Sequence, residues 1–520
     1  MRAPDRKYLG RWTEGTLVKP LLTAEEMRAR EGEAGRAGVS ARELMERAGL
    51  ALSEGARRLA APEGRFAVLC GPGNNGGDGL VAARHLAQAG RQVLVVLVAE
   101  PGSLKAESQA SLEELQAMGG SAAGNLQDFA PRPGDVAVDA LLGTGLNRAP
   151  DGALADAIHM LWKWRAVGVR VLSADLPSGL ASDTGVPFRP AVQADATVAF
   201  GALKVGEALE PGASLCGDVY VADIGLAPED SPVVLLEEED ARGWLPQRAP
   251  NSHKGTYGHL LVIAGSRGKS GAAALAGLAA LRSGVGLCTV ATADNALSDV
   301  LVHGPELMGV GLDDEKPLGP MHLEALLEVA EGKDALVLGP GIPRGKKTHQ
   351  LIAELLQRFP GPMVLDADAL TALAGHLEVL GSAQGPLVLT PHPGEMARLS
   401  GLSVAEIQAD RVAVARDFAR AHHVVLVLKG ARTVVALPDG RARVNPTGNP
   451  GMATGGAGDV LSGVCGALLA QGLAPADAAS VAVYAHGLAG DLEEEWRGEL
   501  GLVASDLLSG LTSVWARWNR

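Results

Sequence analysis

Short apolar runs closed by Gly, Pro or Asp recur along this chain, with Ala/Leu-rich helical segments between them. That alternation restricts the fold to α/β with parallel sheets, because strands buried on both faces need crossover helices to cover them. In the first half the runs are FAVLC (Phe66–Cys70), VLVVLVA (Val93–Ala99), DVAVDAL (Asp135–Leu141), VRVLSADL (Val169–Leu176) and ATVAF (Ala196–Phe200). The pattern starts afresh with HLLVIAGS (His259–Ser266) and continues through LCTVAT, ALVLGPG, MVLDADAL, LVLTPHPG and VVLVLKG. Nothing relates the second series to the first as a repeat. At 520 residues the chain is also too long for one core. The reading is therefore two α/β domains, spanning 21–228 and 250–520. Between them lies a connector, 229–249, marked by APEDSP, the acidic run EEED and LPQRAP. Residues 1–20 fit neither domain and read as a loosely attached extension.

Composition excludes several classes. A net charge of −14 opposes nucleic-acid binding, which needs a basic face. The most apolar helical stretch, Gly271 to Leu281, ends at Arg282 and is too short for a bilayer. The start, MRAPDRKYLGRWTEG, has no apolar core of a signal peptide. Cys70, Cys216, Cys288 and Cys465 form no CxxC pair, which suits reduced thiols in a cytoplasmic protein. Oligomeric state stays open, although glycine-rich helices leave room for close packing in a homo-oligomer.

Two constellations carry chemistry. In the first, LCGPGNNGGDGLVAARHL sets a strand, a glycine-rich loop and a helix in succession. Gly71, Gly73 and Gly76 nominally match a dinucleotide fingerprint, but Asp78 would compete with a pyrophosphate for the helix N-terminus. The loop reads instead as amides and a carboxylate offered to a hydroxylated ligand or a cation. Asp139 and Asp175 end two further strands, leading into LLGTGLNR and LPSG, with Ser178 close by. Either aspartate alone would pass for a cap or turn residue. All three loops leave carboxyl ends of parallel strands, where open α/β sheets bind ligands, so together they read as one site.

GNNGGDG, DALLGTGL and DLPSGLASDTG resemble the signature loops of NAD(P)H-hydrate epimerases. ARELMERAG and ADATVAFGALKVG are similar to other stretches of that family, over about residues 21–225. The resemblance implies a Rossmann-like domain in which Asn75, Asp139 and Ser178 surround a monovalent cation, K+. It also implies that Asn74, Asn75, Gly76, Gly77 and Asp78, the stretch Gly143, Thr144, Gly145, Leu146, Asn147, Arg148 and Ala149, and Asp175 contact the hydrated nucleotide. One carboxylate among neutral oxygens suits a singly charged hard cation. Asp175 or Asp78 is the expected acid/base for inversion at C6 of the hydrated nicotinamide, a carbon bearing both a ring nitrogen and a hydroxyl.

The second constellation is NPTGNPGMATGGAGDVLSGVCGALLAQG (Asn445–Gly472). Its glycines let successive amides converge at the start of a helix near Asp459, as an anion hole for a migrating phosphoryl group. Asp459 stands where it can take a proton from an attacking hydroxyl. A capped helix start without function would need fewer glycines, and no GK[ST] makes this a Walker loop. The segment resembles the GxGD motif of ribokinase-like enzymes and, with HKGTYGHLLVIAGS, LTPHPGEMARL and GNPGMATGG, their NAD(P)H-hydrate dehydratase branch, over about 250–515. Ala457 departs from it, where the branch has Thr. By that resemblance Ala272, Gly341, His392 and Asp459 face the hydrated nucleotide, while Lys429, Gly430, Ala431, Arg432, Thr433 and Gly458 face the phosphate donor. ADP is the implied donor, giving AMP and phosphate, with Mg2+ on its phosphates; no residue distinguishes ADP from ATP.

The chemistry is consistent. Hydroxide leaves poorly, its conjugate acid having a pKa of about 15.7. Phosphate, with a second pKa of about 6, leaves readily. The partners expected are thus hydrated NADH or NADPH and a nucleotide, without nucleic acid or membrane. A ribokinase-like small-molecule kinase with a non-catalytic N-terminal ligand-binding domain is the runner-up. HPGE and NPGMATGG argue against it, and the Asp139/Asp175 pair argues against an RNA-associated adaptor in the first half.

Overall fold

In the computed structural model the structure describes residues 19–98, 101–120, 125–226, 230–313, 318–345 and 347–519. The chain divides into two compact units, Met1–Val233 and Val234–Arg520, and both are α/β.

The first unit holds a six-stranded parallel sheet. Its order is Val93–Leu97, Phe66–Cys70, Val136–Ala140, Arg170–Ala174, Ala196–Phe200, Asp218–Ala222. Alternate residues of one strand feed opposite faces. Phe66, Val68 and Cys70 enter one core cluster, whereas Ala67 and Leu69 enter another. Helices cover both sides, which is why the strand reads as unbroken apolar sequence. Each fully buried Val, Leu or Phe contributes about 1.5–3 kcal/mol against exposure. The chain reverses its direction of growth between Phe66–Cys70 and Val136–Ala140, a topological switch point that opens a crevice at their carboxyl ends.

Two boundary expectations need correction. Residues 1–18 lie outside the described residues, but Lys19 and Pro20 belong to the strand Lys19–Leu22, which pairs in parallel with Leu203–Lys204. The stretch read as a connector, where described, is folded: it contributes the strand Val233–Leu235 and the helix Glu238–Gly243. Leu236 and Ala241 enter the core of the second unit. The acidic run is the helix's first turn rather than a solvated linker. Its charge favours the positive end of the helix dipole, and Asp240 Oδ2 accepts from Glu237 N at 3.0 Å.

Among the described residues the second unit carries a sheet with the strand order Met308–Leu312, Leu287–Ala293, His259–Ile263, Ala335–Leu338, Met363–Leu365, Leu387–Leu389, Val425–Leu428, Val434–Ala436, Ala442–Val444. All pair in parallel except the last two, which join antiparallel. The switch point lies between His259–Ile263 and Ala335–Leu338, where Gly265 N donates to Pro340 O at 2.8 Å. The helix Ala457–Ala470 packs closely on Ser270–Arg282. A Cβ on Gly463 would come within 2.1 Å of Ala276 O, so only glycine permits that approach. Among the described residues no helix is long and apolar enough to cross a membrane. The four cysteines are free and buried.

Candidate functional sites

In the first unit the glycine-rich segment is helix, not loop. Asn74–Gln88 starts directly after Gly73, so Asn74 to Asp78 form its opening turn. The glycines serve packing as much as turning: a Cβ on Gly76 would meet Gly71 O at 2.0 Å, and one on Gly79 would meet Ala140 Cβ at 2.6 Å. This tightness draws the helix onto the switch point and turns Asn75 toward the next loop. Asn75 Nδ2 donates to Leu142 O at 2.8 Å, while its Oδ1 is buried without a partner.

Asp139 is wholly buried beside it. Its Oδ1 accepts from Ser178 Oγ at 2.6 Å, and its Oδ2 from Ser178 N and Ser173 Oγ, both at 2.9 Å. Leu142 N donates to Ser178 Oγ at 2.9 Å. Burial pushes the Asp139 carboxyl up, and the bonds from Ser178 and Ser173 work against that. Asn75, Asp139 and Ser178 therefore meet in one place. Within the following loop, Gly143 lies against Asn75, but Gly145, Asn147, Arg148 and Ala149 stand exposed. Among the described residues none of these four bonds to Asp78, Asp139 or Asp175.

Asp175 follows its strand with φ +66°, a left-handed conformation that is costly for any residue but glycine. Its backbone N–H donates to Val198 O at 2.8 Å, and its Oδ1 accepts from Phe200 N at 3.0 Å and from Lys204 Nζ. Burial, then the negative charges of Asp175 and Glu31, push Asp78 well above the usual carboxylate range. Glu31 is raised chiefly by burial and then by Asp175. Lys204, Glu207 and Glu31 are neighbours of Asp175 and Asp78 that the motifs did not point to. The available signal for Lys204 was one lysine inside the apolar stretch ATVAFGALKVG.

In the second unit the helix Ala457–Ala470 opens from Gly456 at φ +95°. Val460 N–H is the first clearly returned to the turn, at 3.1 Å from Gly456 O; Ala457 N–H has Thr454 O only at 3.5 Å. The amides around Gly458 and Asp459 thus keep their outward direction, as helix starts require. Lys429 lies beneath them, its Nζ 3.3 Å from where a Gly458 Cβ would stand. Lys429 Nζ donates to Asp366 Oδ1 at 2.8 Å and lies 3.9 Å from Glu395 Oε2. Ser462 Oγ donates to Asp366 Oδ2 at 2.6 Å. Burial works to lower the Lys429 ammonium, but Asp366 and Glu395 outweigh it and hold it above its usual range. Asp459 is pushed up to about 7 by burial and then by Asp366, with Lys429 partly opposing. Behind the helix start His486 Nε2 bonds Ala457 O at 2.9 Å, and burial lowers this imidazole to about 4.

The loop Gly430, Ala431, Arg432 and Thr433 is held from behind by buried Arg411, which donates to Leu428 O at 3.1 Å and to Ala431 O. Arg432 takes φ +58° and Thr433 Oγ1 donates to Gly430 O at 2.9 Å. His392 is the N-cap of Pro393–Ser400. Its Nδ1 accepts from Gly394 N at 2.9 Å, and Nε2 of the half-exposed ring lies 3.6 Å from Glu395 Oε1. Gly341, at φ +67°, turns against Ala272: a Cβ there would lie 3.1 Å from Ala272 Cβ. Beside it opens a cavity of about 330 Å3, lined in part by Gly265, Thr292, Ile342 and Arg344. The sequence-expected residues thus form two groups, Lys429–Gly458–Asp459 and Ala272–Gly341. Asp366 follows the buried strand Met363–Leu365 in MVLDADAL, the same pattern of a carboxylate closing an apolar strand that marks Asp139 and Asp175.

Two parallel-sheet units, each with acidic residues gathered at a glycine-opened helix, define a two-domain α/β enzyme class. Residues 260–512 match the family model described as NAD(P)H-hydrate dehydratase, and residues 41–206 match that described as YjeF-related protein N-terminus. The chain is 45% identical to a bifunctional NAD(P)H-hydrate repair enzyme Nnr of Moorella thermoacetica, covering 91% of this chain and 92% of that one. The same-named protein of Escherichia coli is 38% identical over 94% and 93% of the two chains. The chain belongs to the family of bifunctional NAD(P)H-hydrate repair enzymes. Both of its domains are α/β folds built on largely parallel sheets. A solved ADP/ATP-dependent NAD(P)H-hydrate dehydratase of Bacillus subtilis, co-crystallized with ATP/Mg2+, is 35% identical. It covers 55% of this chain and 98% of its own, with a TM-score of 0.48.

Proposed function

We propose that this chain repairs hydrated NADH and NADPH in two steps: the first unit interconverts the R and S forms at nicotinamide C6, and the second dehydrates the S form at the expense of a nucleotide. The observation that carries the reading is the pairing of Asp459, raised to about 7, with outward amides and Lys429 at one helix start. A carboxyl so tuned can take the proton from the C6 hydroxyl near neutrality, as efficient general-base catalysis requires. The amides and Lys429 would meet the transferring phosphoryl group, and C6 then loses phosphate instead of hydroxide. His392, Ala272 and Gly341 would seat the nicotinamide nucleotide, and Gly430 to Thr433 the donor.

Mg2+ would neutralise the donor phosphates. The donor set fits, since Mg2+ usually takes one or two protein carboxylates and fills its shell from phosphate and water; Asp366 and Glu395 are the carboxylates beside Lys429, at 2.8 and 3.9 Å. In the first unit K+ fits an oxygen-rich niche in which Asn75 Oδ1 is buried and unpartnered beside Asp139 and Ser178. Asn75 Oδ1, the Ser178 hydroxyl and the Asp139 carboxylate would hold the ion, and the ion would order the loops that enclose the nucleotide. Asp175 is the acid/base we assign to epimerisation. The full-length family match disfavours the kinase alternative.

The test is a mixed-epimer NADH hydrate incubated with ADP and, separately, with ATP, following dihydronicotinamide absorbance and inorganic phosphate. Complete recovery with equimolar phosphate is expected. Recovery stopping at the S fraction would remove the epimerase, and a stable phosphorylated product would restore the kinase.

A further inference from the structure

Lys204 is a completely buried cation. Such a group is tolerated only when paired and hydrogen-bonded. Its Nζ donates to Asp175 Oδ1 and lies 3.4 Å from Phe200 O. Three other carboxylates surround the pair: Asp78, Glu31 and Glu207. Glu207 spends Oε2 on the Lys204 backbone N–H at 2.7 Å, and its Oε1 is buried without a partner. Burial pushes Glu207 up to about 8 and Asp78 well above its ordinary range, and among the described residues the ammonium makes its ion pair with Asp175. The charge of Lys204 is committed to Asp175.

The geometry at Asp175 explains why. Its backbone is held left-handed, and Oδ1 is spent on Lys204 and Phe200 N. Among the described residues Oδ2 takes no hydrogen bond. We propose that Lys204 is a positioning residue of the first site: by gripping Oδ1 it fixes the Asp175 carboxylate and leaves Oδ2 as the oxygen that exchanges a proton with the hydrated nicotinamide. This rests on the reading of Asp175 as acid/base. Lys204 touches no substrate; it acts through Asp175.

The test uses the full chain with mixed-epimer NADH hydrate, ADP and Mg2+. Recovery then has a fast phase, dehydration of the S form, and a slow phase set by epimerisation. Lys204→Met is expected to cut kcat of the slow phase about 100-fold, the scale of a displaced acid/base, with KM within about threefold. The fast phase keeps its rate, and Lys204→Arg recovers part of the loss. Combined with Asp175→Asn, the Lys204 change should add nothing. A slow phase unchanged in Lys204→Met, or losses that multiply in the double variant, overturns the proposal. If Lys204→Met does not fold, the double variant, which removes both charges, and Lys204→Arg decide it: equality with Asp175→Asn and an intermediate rate for Arg support it, while further slowing or wild-type behaviour of Arg overturns it. Should Asp175→Asn alone leave the slow phase intact, the acid/base assignment itself falls, a distinct result.

Discussion

The two sites use one residue type in opposite electrostatic settings. Asp175 is bonded directly to a buried lysine, and its backbone is strained to keep it there. Asp459 also has a lysine nearby, but Asp366 and Glu395 claim that ammonium first, and Asp459 is pushed up to about 7. A carboxylate whose counter-charge is in contact is held in one position by it. One whose counter-charge is shared with two other carboxylates is poised to gain and lose a proton near neutrality. The difference lies in who else holds the lysine, not in the aspartate.

The comparison can be broken most sharply at Asp459. Asp459→Asn should cut dehydration of the S form about a thousandfold while R and S still interconvert, an epimer ratio that NMR can follow. Equal loss of both activities would mean that the units do not work separately. Asp175→Asn should slow epimerisation about 100-fold and spare the fast phase of recovery. If instead the fast phase disappears, the assignment of roles is wrong.

The pH profile sharpens the contrast. Dehydration at saturating substrates should rise as pH passes about 7, where Asp459 loses its proton, and then level off. A profile flat across that value would detach Asp459 from the rate. For the ion, Asn75→Ala should raise the K+ needed for epimerisation at least about tenfold, the scale on which even outer partners tune metal affinity. No change in the K+ response would leave Asn75 Oδ1 without this role.

The smallest expected effect is on stability. The folded Asp459 carboxyl is raised, so it contributes stability below the ordinary carboxylate range, and that contribution is lost as pH rises toward about 7. Asparagine cannot ionise. Above pH about 7 Asp459→Asn should therefore raise the melting temperature of the second unit by about 2–4 °C. The gain should vanish in acid. A variant melting lower at high pH would contradict the sign.

Much of the fold was legible because buried parallel strands leave unbroken apolar runs. ATVAF is the observed strand Ala196–Phe200, and FAVLC is Phe66–Cys70. The pairing of Lys19–Leu22 with Leu203–Lys204 was not legible, because strands this short leave no period to read. Met308–Leu312 escaped for a different reason: it is mostly exposed and includes two glycines. The segment Glu237–Gly243 looked like a linker because charge was read without Leu236 and Ala241, which anchor it.

The sequence by itself determined that glycines precede Asp78 and Asp459 and that aspartates close buried strands, since these are local facts of composition and order. It also carried the family, because its motifs survive as contiguous letters. Tertiary structure decided which lysine meets which carboxylate, since Lys204 and Asp175 lie 29 residues apart and Lys429 and Asp366 lie 63 apart. It decided, too, that Asn75 Oδ1 would be sealed in without a partner. Coulomb energy and desolvation depend on distance and burial in space, and neither is written in the order of the residues.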